Sequence, residues 1–135
     1  MRVVLDTNVL ISGIFWKGPS EKLLARWVGK AFTLLVSRPI LEEYERIFQR
    51  IEDPENTALL HWWRRVLLEL SEWIEPFPLA KTSRDPNDDK FLEAAVGGKA
   101  DVLVSLDKDL LSLIKIRQIP IIYPVDFLHN YLPNP

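Results

Sequence analysis

Two acidic residues each follow a short apolar run, where a strand of a buried sheet is expected to end. Asp6 follows the run at residues 3–5, and Asp107 follows the largely apolar run at residues 102–106. Such runs are typical of strands buried on both faces, and open α/β sheets bind ligands at the carboxyl ends of their strands. A helix N-cap is the alternative role for each acid, and a cap at Asp109 would leave Asp107 facing the site. We expect both strand ends to contribute to one site.

A third acid is singled out by its direction on a helix. Residues 85–98 have the pattern of a helix with Asp85 as N-cap, Pro86 as first residue and a Gly-Gly pair at the end. At about 100° per residue, Asp88 lies near the midline of the apolar stripe and Asp89 about a quarter turn away. The helix dipole favours acids in a first turn, which explains part of this cluster. A carboxylate directed at the core is costly unless a cation or donors receive it, so Asp88 is predicted to be functional.

A glutamate from another helix is a further candidate. Ser37 is predicted to cap a helix with a 3.6-residue apolar repeat. On that helix Glu42 points to solvent, whereas Glu43 and Glu45 lie on opposite rims of the apolar stripe. Each could be an ordinary solvated glutamate, and helical geometry alone does not choose between Glu43 and Glu45.

The frame that positions these acids is predicted from the alternation of apolar runs and helical patterns. Four runs predict strands, at residues 3–5, 33–36, 102–104 and 119–123. Between the first two, Ser20 is predicted to cap a helix that Gly29 ends. Strands that alternate with helices favour an α/β fold with a parallel sheet.

A helical hairpin is predicted on either side of Asp53-Pro54. Its second helix carries an apolar stripe over residues 59–74. Trp62 and Trp73 share one rim of that helix, and Trp63 lies in the stripe. Most such aromatics are core residues, but a rim pair is also expected to contact a second copy of the chain or another protein, because aromatics are enriched at interfaces.

Composition limits the classes of protein. The chain has 135 residues, 47% hydrophobic and 27% charged, as expected for one folded domain over residues 1–135. Its net charge of −2 means that nucleic-acid binding would need a local basic surface or bound cations. It has no cysteine and only His61 and His129, which leaves acid chemistry. His61 is expected at the surface or core edge, and His129 has no acidic motif beside it. No membrane-length run or signal-peptide pattern is present, so we expect a cytoplasmic protein with no membrane association.

Four segments together resemble the PIN-domain ribonucleases, in particular the toxin components of toxin–antitoxin pairs. They are LDTNVLIS at residues 5–12, SRPILEEY at 37–44, DPNDDKFL at 85–92 and ADVLVSLDKDLL at 100–111. The match runs from one end of the chain to the other. It implies a three-layer α/β/α PIN-like fold, with a central parallel sheet of four to five strands and a helical hairpin.

The resemblance also implies a set of site residues. Carried over residue by residue, the catalytic acids are Asp6, Glu43, Asp88 and Asp107, and the supporting polar residues are Asn8, Ser105 and Asp109. It therefore selects Glu43 over Glu45. The chain departs from the family pattern where Ser105-Leu106 replaces the usual Thr-Gly. Serine keeps the hydroxyl, whereas Leu106 is expected to narrow the approach to Asp107 or to alter a turn.

The implied chemistry is the metal-dependent hydrolysis of RNA. Converging carboxylates repel by about 4 kcal/mol per pair at 4 Å and an effective dielectric of 20, and a divalent cation removes that cost. All-oxygen ligands favour Mg²⁺, with Mn²⁺ as a substitute. We expect Asp6, Asp88 and Asp107 to hold the metal and Glu43 to orient or deprotonate water. The candidate RNA contacts are Lys17, Lys81, Arg84 and Lys108.

The same residues allow two other functions. A phosphatase of the haloacid-dehalogenase type would use Asp6 as nucleophile, but it needs a second acid at position 8, where this chain has Asn8. A catalytically degenerate PIN domain that binds RNA or protein is the non-enzymatic alternative, and the presence of all four acids argues against it. The resemblance implies an antitoxin partner, and the tryptophan rim suggests a homodimer.

Overall fold

One sheet forms the centre of the computed structural model, which describes residues 1–80 and 86–132. Its strands within the described residues are β1 Arg2–Leu5, β2 Thr33–Val36, β3 Glu72–Trp73, β4 Val102–Val104, β5 Lys115–Ile116 and β6 Ile119–Ile122. Their order is β3-β2-β1-β4-β6-β5. All neighbours are parallel except β5 and β6. The predicted α/β class is confirmed, and the two-residue edge strands β3 and β5 are additional to the four predicted runs.

Helices flank this sheet. They are α1 Thr7–Phe15, α2 Pro19–Val28, α3 Arg38–Ile51, α4 Thr57–Leu70, α5 Asp89–Gly97, α6 Lys108–Leu111 and α7 Pro124–Tyr131. A single 3₁₀ turn, Pro86–Asp88, precedes α5. Helix α2 packs against α1 and α7, whereas α5 packs across β1, β2 and β4. No helix among the described residues has the length and apolar character needed to cross a membrane.

The strand order changes direction between β1 and β4. From β1 the chain moves outward through β2 to β3, then returns to place β4 on the other side of β1. Leu5 and Val104 are paired in register, so the two strands end at the same level. Ligands of open α/β sheets bind in the crevice at such a switch point. Asp6 and Ser105 are the next residues of the two strands and therefore lie beside this crevice.

Helix starts agree only in part with the sequence predictions. Ser37 caps α3, and its Oγ accepts the Ile40 N–H at 3.3 Å. The prediction of a Ser20 cap is wrong, because Gly18 is the N-cap and Pro19 begins α2. Pro fits a first helical position, where its missing N–H costs nothing. The predicted Asp85 cap lies outside the described residues.

Arg64 holds the predicted helical hairpin together. Its Nε lies 2.7 Å from Glu45 Oε1 and its Nη2 lies 2.8 Å from Glu52 Oε1, so one α4 side chain bridges an acid of α3 and the acid that caps the C-terminus of α3. The guanidinium carbon lies 5.5 Å from the centre of the Phe48 ring. This places a cation over an aromatic face and adds to the attraction between the two helices.

The second helix of the hairpin ends earlier than predicted. Helix α4 stops at Leu70, and Glu72–Trp73 pairs with the open edge of β2. The Ile74 N–H also donates to the Val36 carbonyl at 2.8 Å. Extended backbone at this position pairs with the backbone N–H and C=O groups at the edge of β2, which a longer helix would leave unpaired. Trp62 and Trp73 therefore do not share a helical rim, and that prediction is wrong.

Candidate active site

Asp6 is the first residue after β1 and is only 3% exposed. Its Oδ1 accepts the Val9 N–H at 2.9 Å, so it caps α1. Its Oδ2 accepts the Ser105 hydroxyl and the Leu106 N–H, the latter at 3.1 Å. The capping role and the position at the switch point are thus combined in one side chain. The bonds to Oδ2 fasten the end of β1 to the segment that follows β4.

The pKa of Asp6 is shifted because its carboxylate is buried away from water. Burial raises the pKa of Asp6, because a charge loses hydration there. The hydrogen bonds from Ser105, Val9 and Leu106 act in the opposite direction, and the negative charge of Asp107 raises the pKa further. A cation bound next to Asp6 would favour its charged form.

Three carboxylates meet beside Asp6. One oxygen from each of Asp88, Asp107 and Asp109 lies within 4.8 Å of the others. Asp88 is 8% exposed, which confirms its predicted inward direction. The idea that Asp109 is a cap is wrong: Asp107 caps α6, and its Oδ1 accepts the Asp109 N–H at 2.7 Å. Asp109, expected to be a supporting residue, lies in the cluster itself.

The donor set of this cluster fits a hard divalent cation. Its three groups are all carboxylates, and neither histidine belongs to it. Two oxygens bound to one Mg²⁺ are at most about 4.2 Å apart, given bonds of about 2.1 Å. Small side-chain rotations would bring these oxygens within that limit. The all-oxygen set therefore fits a divalent cation that prefers oxygen ligands.

Glu43 on α3 is held by three neighbours. The Thr7 hydroxyl donates to its Oε2. The Lys90 ammonium donates to its Oε1 at 2.6 Å, and Arg46 Nη2 lies 3.5 Å from the same oxygen. Thr7 follows Asp6, and Lys90 belongs to the helix that begins after Asp88, so Glu43 contacts residues adjacent to both acids. Sequence reasoning did not identify Lys90, since a lone lysine in a first turn carries no distinctive pattern.

The two glutamates left open by helical geometry occupy different surroundings. Glu45 is bound to Arg64 of the hairpin, on the rim away from Glu43. Glu43 and Lys90 have exposed side-chain fractions of 14% and 17%. The structure therefore places Glu43, and not Glu45, in contact with the residue that follows Asp6 and with α5.

Tyr44 is a buried residue of α3 that supports the end of β1. Its hydroxyl donates to the Leu5 carbonyl at 2.6 Å, one residue before Asp6. Burial raises the pKa of Tyr44, and the charges of Asp6 and Glu43 raise it further. The sequence showed only an aromatic in an apolar stripe. A buried tyrosine requires a partner for its hydroxyl, but which partner depends on the fold.

The predicted supporting residues differ in environment. Ser105 is fully buried, and its Oγ accepts the Asp107 N–H at 2.9 Å while donating to Asp6. Ser105 thus links two of the acids. Asn8 is exposed in the first turn of α1. Leu106 donates its backbone N–H to Asp6, and its side chain is 38% exposed.

The predicted RNA-contacting residues and the two histidines lie outside the carboxylate cluster or outside the described residues. Lys17 and Lys108 are exposed, whereas Lys81 and Arg84 lie outside the described residues. His61 Nε2 is 4.0 Å from Glu52 at the far end of α3, and its side chain is 70% exposed. His129 is exposed on α7. Neither histidine belongs to the carboxylate cluster of the described residues.

Comparison with known proteins identifies the family. The profile of the PIN domain matches residues 2–109. The chain belongs to the PIN domain family. All four acids predicted from the motifs lie inside the matched part of this PIN domain, and so does Asp109.

A solved structure shares the fold of this PIN domain. The structure is the crystal structure of VapBC2 from Rickettsia felis bound to a promoter DNA fragment. One of its chains aligns with this chain with a TM-score of 0.59 and 18% identity. The alignment covers 90% of this PIN domain chain and 97% of the other. No match was found among curated proteins.

Proposed function

We propose that this PIN domain is a metal-dependent endoribonuclease that hydrolyses RNA phosphodiester bonds. The observation that carries the proposal is the gathering of the Asp88, Asp107 and Asp109 carboxylates within 4.8 Å at the strand ends. Asp6 and Glu43 lie on the adjoining elements. A group of acids in this place is costly without a cation, and phosphodiester hydrolysis is a reaction for which a divalent ion supplies much of the chemistry.

Four aspartates are proposed to hold Mg²⁺, for which Mn²⁺ can substitute. Asp88, Asp107 and Asp109 each provide one carboxylate oxygen within 4.8 Å of the other two. Asp6 also qualifies: a carboxylate accepts about four hydrogen bonds, and the hydrogen bonds from Val9, Ser105 and Leu106 leave part of that capacity. When bound, the ion polarises the phosphodiester and lowers the pKa of a water ligand.

The other polar residues are assigned to positioning. Glu43 is proposed to orient the attacking water and to accept its proton, while Thr7 and Lys90 hold its carboxylate in one place. Ser105 keeps Asp6 and Asp107 in a fixed relation. Exposed Asn8, Lys17 and Lys108 are proposed to contact the RNA.

A cleavage assay tests this function. Single-stranded and structured RNAs are incubated with Mg²⁺, with Mn²⁺ and with EDTA, and Asp107→Asn serves as control because asparagine can still cap α6. We expect cleavage by the wild type with either metal, and none with EDTA or with the variant. Cleavage that persists in EDTA, or that Asp107→Asn leaves unchanged, would refute the assignment.

We further propose that the chain is the toxin of a toxin–antitoxin pair, in a single domain that works in the cytoplasm. The likeness to VapBC2 of Rickettsia felis motivates the proposal. A groove of about 520 Å³ between α3, α4 and β3 supplies a surface for the antitoxin. Its lining includes Leu68 and Trp73, which are 68% and 57% exposed. Exposed apolar residues in one groove are typical of a protein interface.

Coexpression tests the antitoxin proposal. The reading frames that adjoin this gene are expressed with the chain, and copurification and growth are measured. We expect one of the adjoining products to copurify with the chain and to restore growth. Trp73→Glu should abolish both the copurification and the restored growth. Trp62→Glu, on α4 but outside the groove lining, should preserve both. A chain that neither slows growth nor binds any adjoining product is not such a toxin.

A further inference from the structure

A small cavity opens beside the candidate active site, where α1, β4 and β6 end. Its volume is about 170 Å³, well below the roughly 300–1,000 Å³ of pockets for drug-sized ligands. It is lined by side chains that include Ser12, Trp16, Lys17, Leu106, Tyr123 and Val125. A cavity of this size suits one planar group.

Four of the lining side chains are apolar or aromatic and exposed. The exposed fractions are 63% for Trp16, 47% for Tyr123, 44% for Val125 and 38% for Leu106. Single exposed hydrophobic residues are common and need no explanation. Here four of them share one small cavity, and two offer aromatic faces to solvent.

The cavity is joined to the candidate active site through the backbone. Leu106 lines the cavity with its side chain and donates its N–H to Asp6 Oδ2 at 3.1 Å. The Ser105 N–H donates to the Ile122 carbonyl at 2.9 Å, which fixes the residue before Tyr123 against the same segment. Leu106 is therefore in contact with both the cavity and Asp6.

Helix α1 makes a second connection. Asn8, Ser12 and Trp16 are spaced by four residues, so the first two share a face of α1 and Trp16 continues that line at its C-cap. The axial distance from Asn8 to Trp16 is about 12 Å at 1.5 Å per residue. This polar line leads from the strand-end acids to an aromatic ring.

We propose that this cavity binds an unpaired nucleobase of the RNA, next to the phosphodiester that the acids act on. The inference rests on the proposed function. Aromatic faces stack on any base, and only unpaired bases expose both of their faces, which favours single-stranded RNA. Lys17 follows Trp16 and is exposed, so it can meet the phosphate of the stacked nucleotide.

Leu106 completes the apolar lining of this base subsite. A glycine at this position would contribute no side chain to the cavity. Leucine supplies an apolar wall against one edge of the base. The Leu106→Gly variant is therefore expected to bind single-stranded RNA more weakly and to distinguish less between bases of different size.

The experiment measures RNA binding without cleavage. A short single-stranded RNA with one 2-aminopurine is titrated with the Asp107→Asn protein in Mg²⁺, and then with the same protein carrying Trp16→Ala, Tyr123→Ala or Leu106→Gly. The fluorescence of 2-aminopurine falls when it stacks. Trp62→Ala is the matched control, since Trp62 is 47% exposed but lies on α4, outside the cavity lining. Circular dichroism verifies that each variant is folded.

Trp16→Ala is expected to weaken binding by about 5- to 150-fold, the effect of losing one stacked base, and to abolish the quenching. Trp62→Ala is expected to bind as before. Equal affinity and quenching for the two variants would overturn the base subsite. If Trp16 is needed for binding but the wild-type chain cuts no RNA with any metal, the base subsite stands and the proposed hydrolysis fails.

Discussion

The hydroxyl of Ser105 donates a hydrogen bond to Oδ2 of Asp6, a residue 99 positions earlier in the chain. The bond joins the residue after β1 to the residue after β4 and directs one carboxylate oxygen away from solvent. The Leu106 N–H meets the same oxygen. Asp6 is therefore a structural residue as well as a proposed metal ligand, and this double role separates it experimentally from Asp107.

Asp6→Asn and Asp107→Asn are expected to abolish metal-dependent cleavage but to differ in stability. An amide at position 6 has one acceptor oxygen for three donors, so we expect the free energy of unfolding to fall by about 1–3 kcal/mol. An amide at position 107 would keep an oxygen that can cap α6, and a change below about 0.5 kcal/mol is expected. Urea unfolding and an RNA cleavage assay measure the two effects. Equal loss of stability in the two variants would contradict the double role of Asp6.

Lys90→Ala is expected to lower kcat by about 10- to 100-fold with little change in KM. The lysine touches Glu43 at 2.6 Å, and its removal leaves that carboxylate free to move. Lys90→Arg should restore part of the rate, because the cation is kept. Lys22→Ala is the control, because Lys22 is exposed on α2. Isothermal titration with Mn²⁺ should show nearly unchanged metal affinity. An unchanged kcat in Lys90→Ala would exclude this positioning role.

Gly97→Ala is expected to destabilise the protein by about 1–3 kcal/mol. A Cβ at Gly97 would lie 2.1 Å from the Glu75 carbonyl oxygen and 2.7 Å from the Phe77 nitrogen, so backbone would have to move. Gly29→Ala is the matched control, because its nearest contact is an ordinary 3.5 Å. That substitution should change stability by less than about 1 kcal/mol. Urea unfolding measures the free energy of unfolding of both variants. Similar values would contradict the prediction and show that the backbone of residues 75–77 moves at little cost.

The ion pair between Glu52 and Arg64 predicts a pH dependence of stability. Hydrogen bonds from Arg64 and Thr57 lower the pKa of Glu52 from 4.5 to about 2. Since the folded pKa is the lower one, this group stabilises the fold above pH 4.5. The contribution disappears as the pH falls through about 2. The difference in free energy of unfolding between wild type and Glu52→Gln should therefore shrink over that range. A difference that stays constant would contradict the lowered pKa.

Local patterns were sufficient for the strands that carry the acids and for the direction of Asp88. The four apolar runs became strands β1, β2, β4 and β6, and Asp88 is buried as predicted, although it lies in the 3₁₀ turn before α5 rather than in the helix itself. Each of these properties depends on residues within one or two turns of the chain. The choice of Glu43 came from the family motif, because both rims of α3 looked alike in the sequence.

Tertiary structure alone decided which groups meet. Trp73 became a strand residue because β2 has an open edge, and Lys90 became the partner of Glu43 because α5 packs near α3. Asp107 took the cap of α6, and Asp109 lies with it and Asp88 in the carboxylate cluster. The sequence by itself thus determined strands β1, β2, β4 and β6 and the position of each acid along the chain. Contacts between distant residues depend on strand order and register, which short-range periodicity does not encode, so only the folded chain determined the composition of the site.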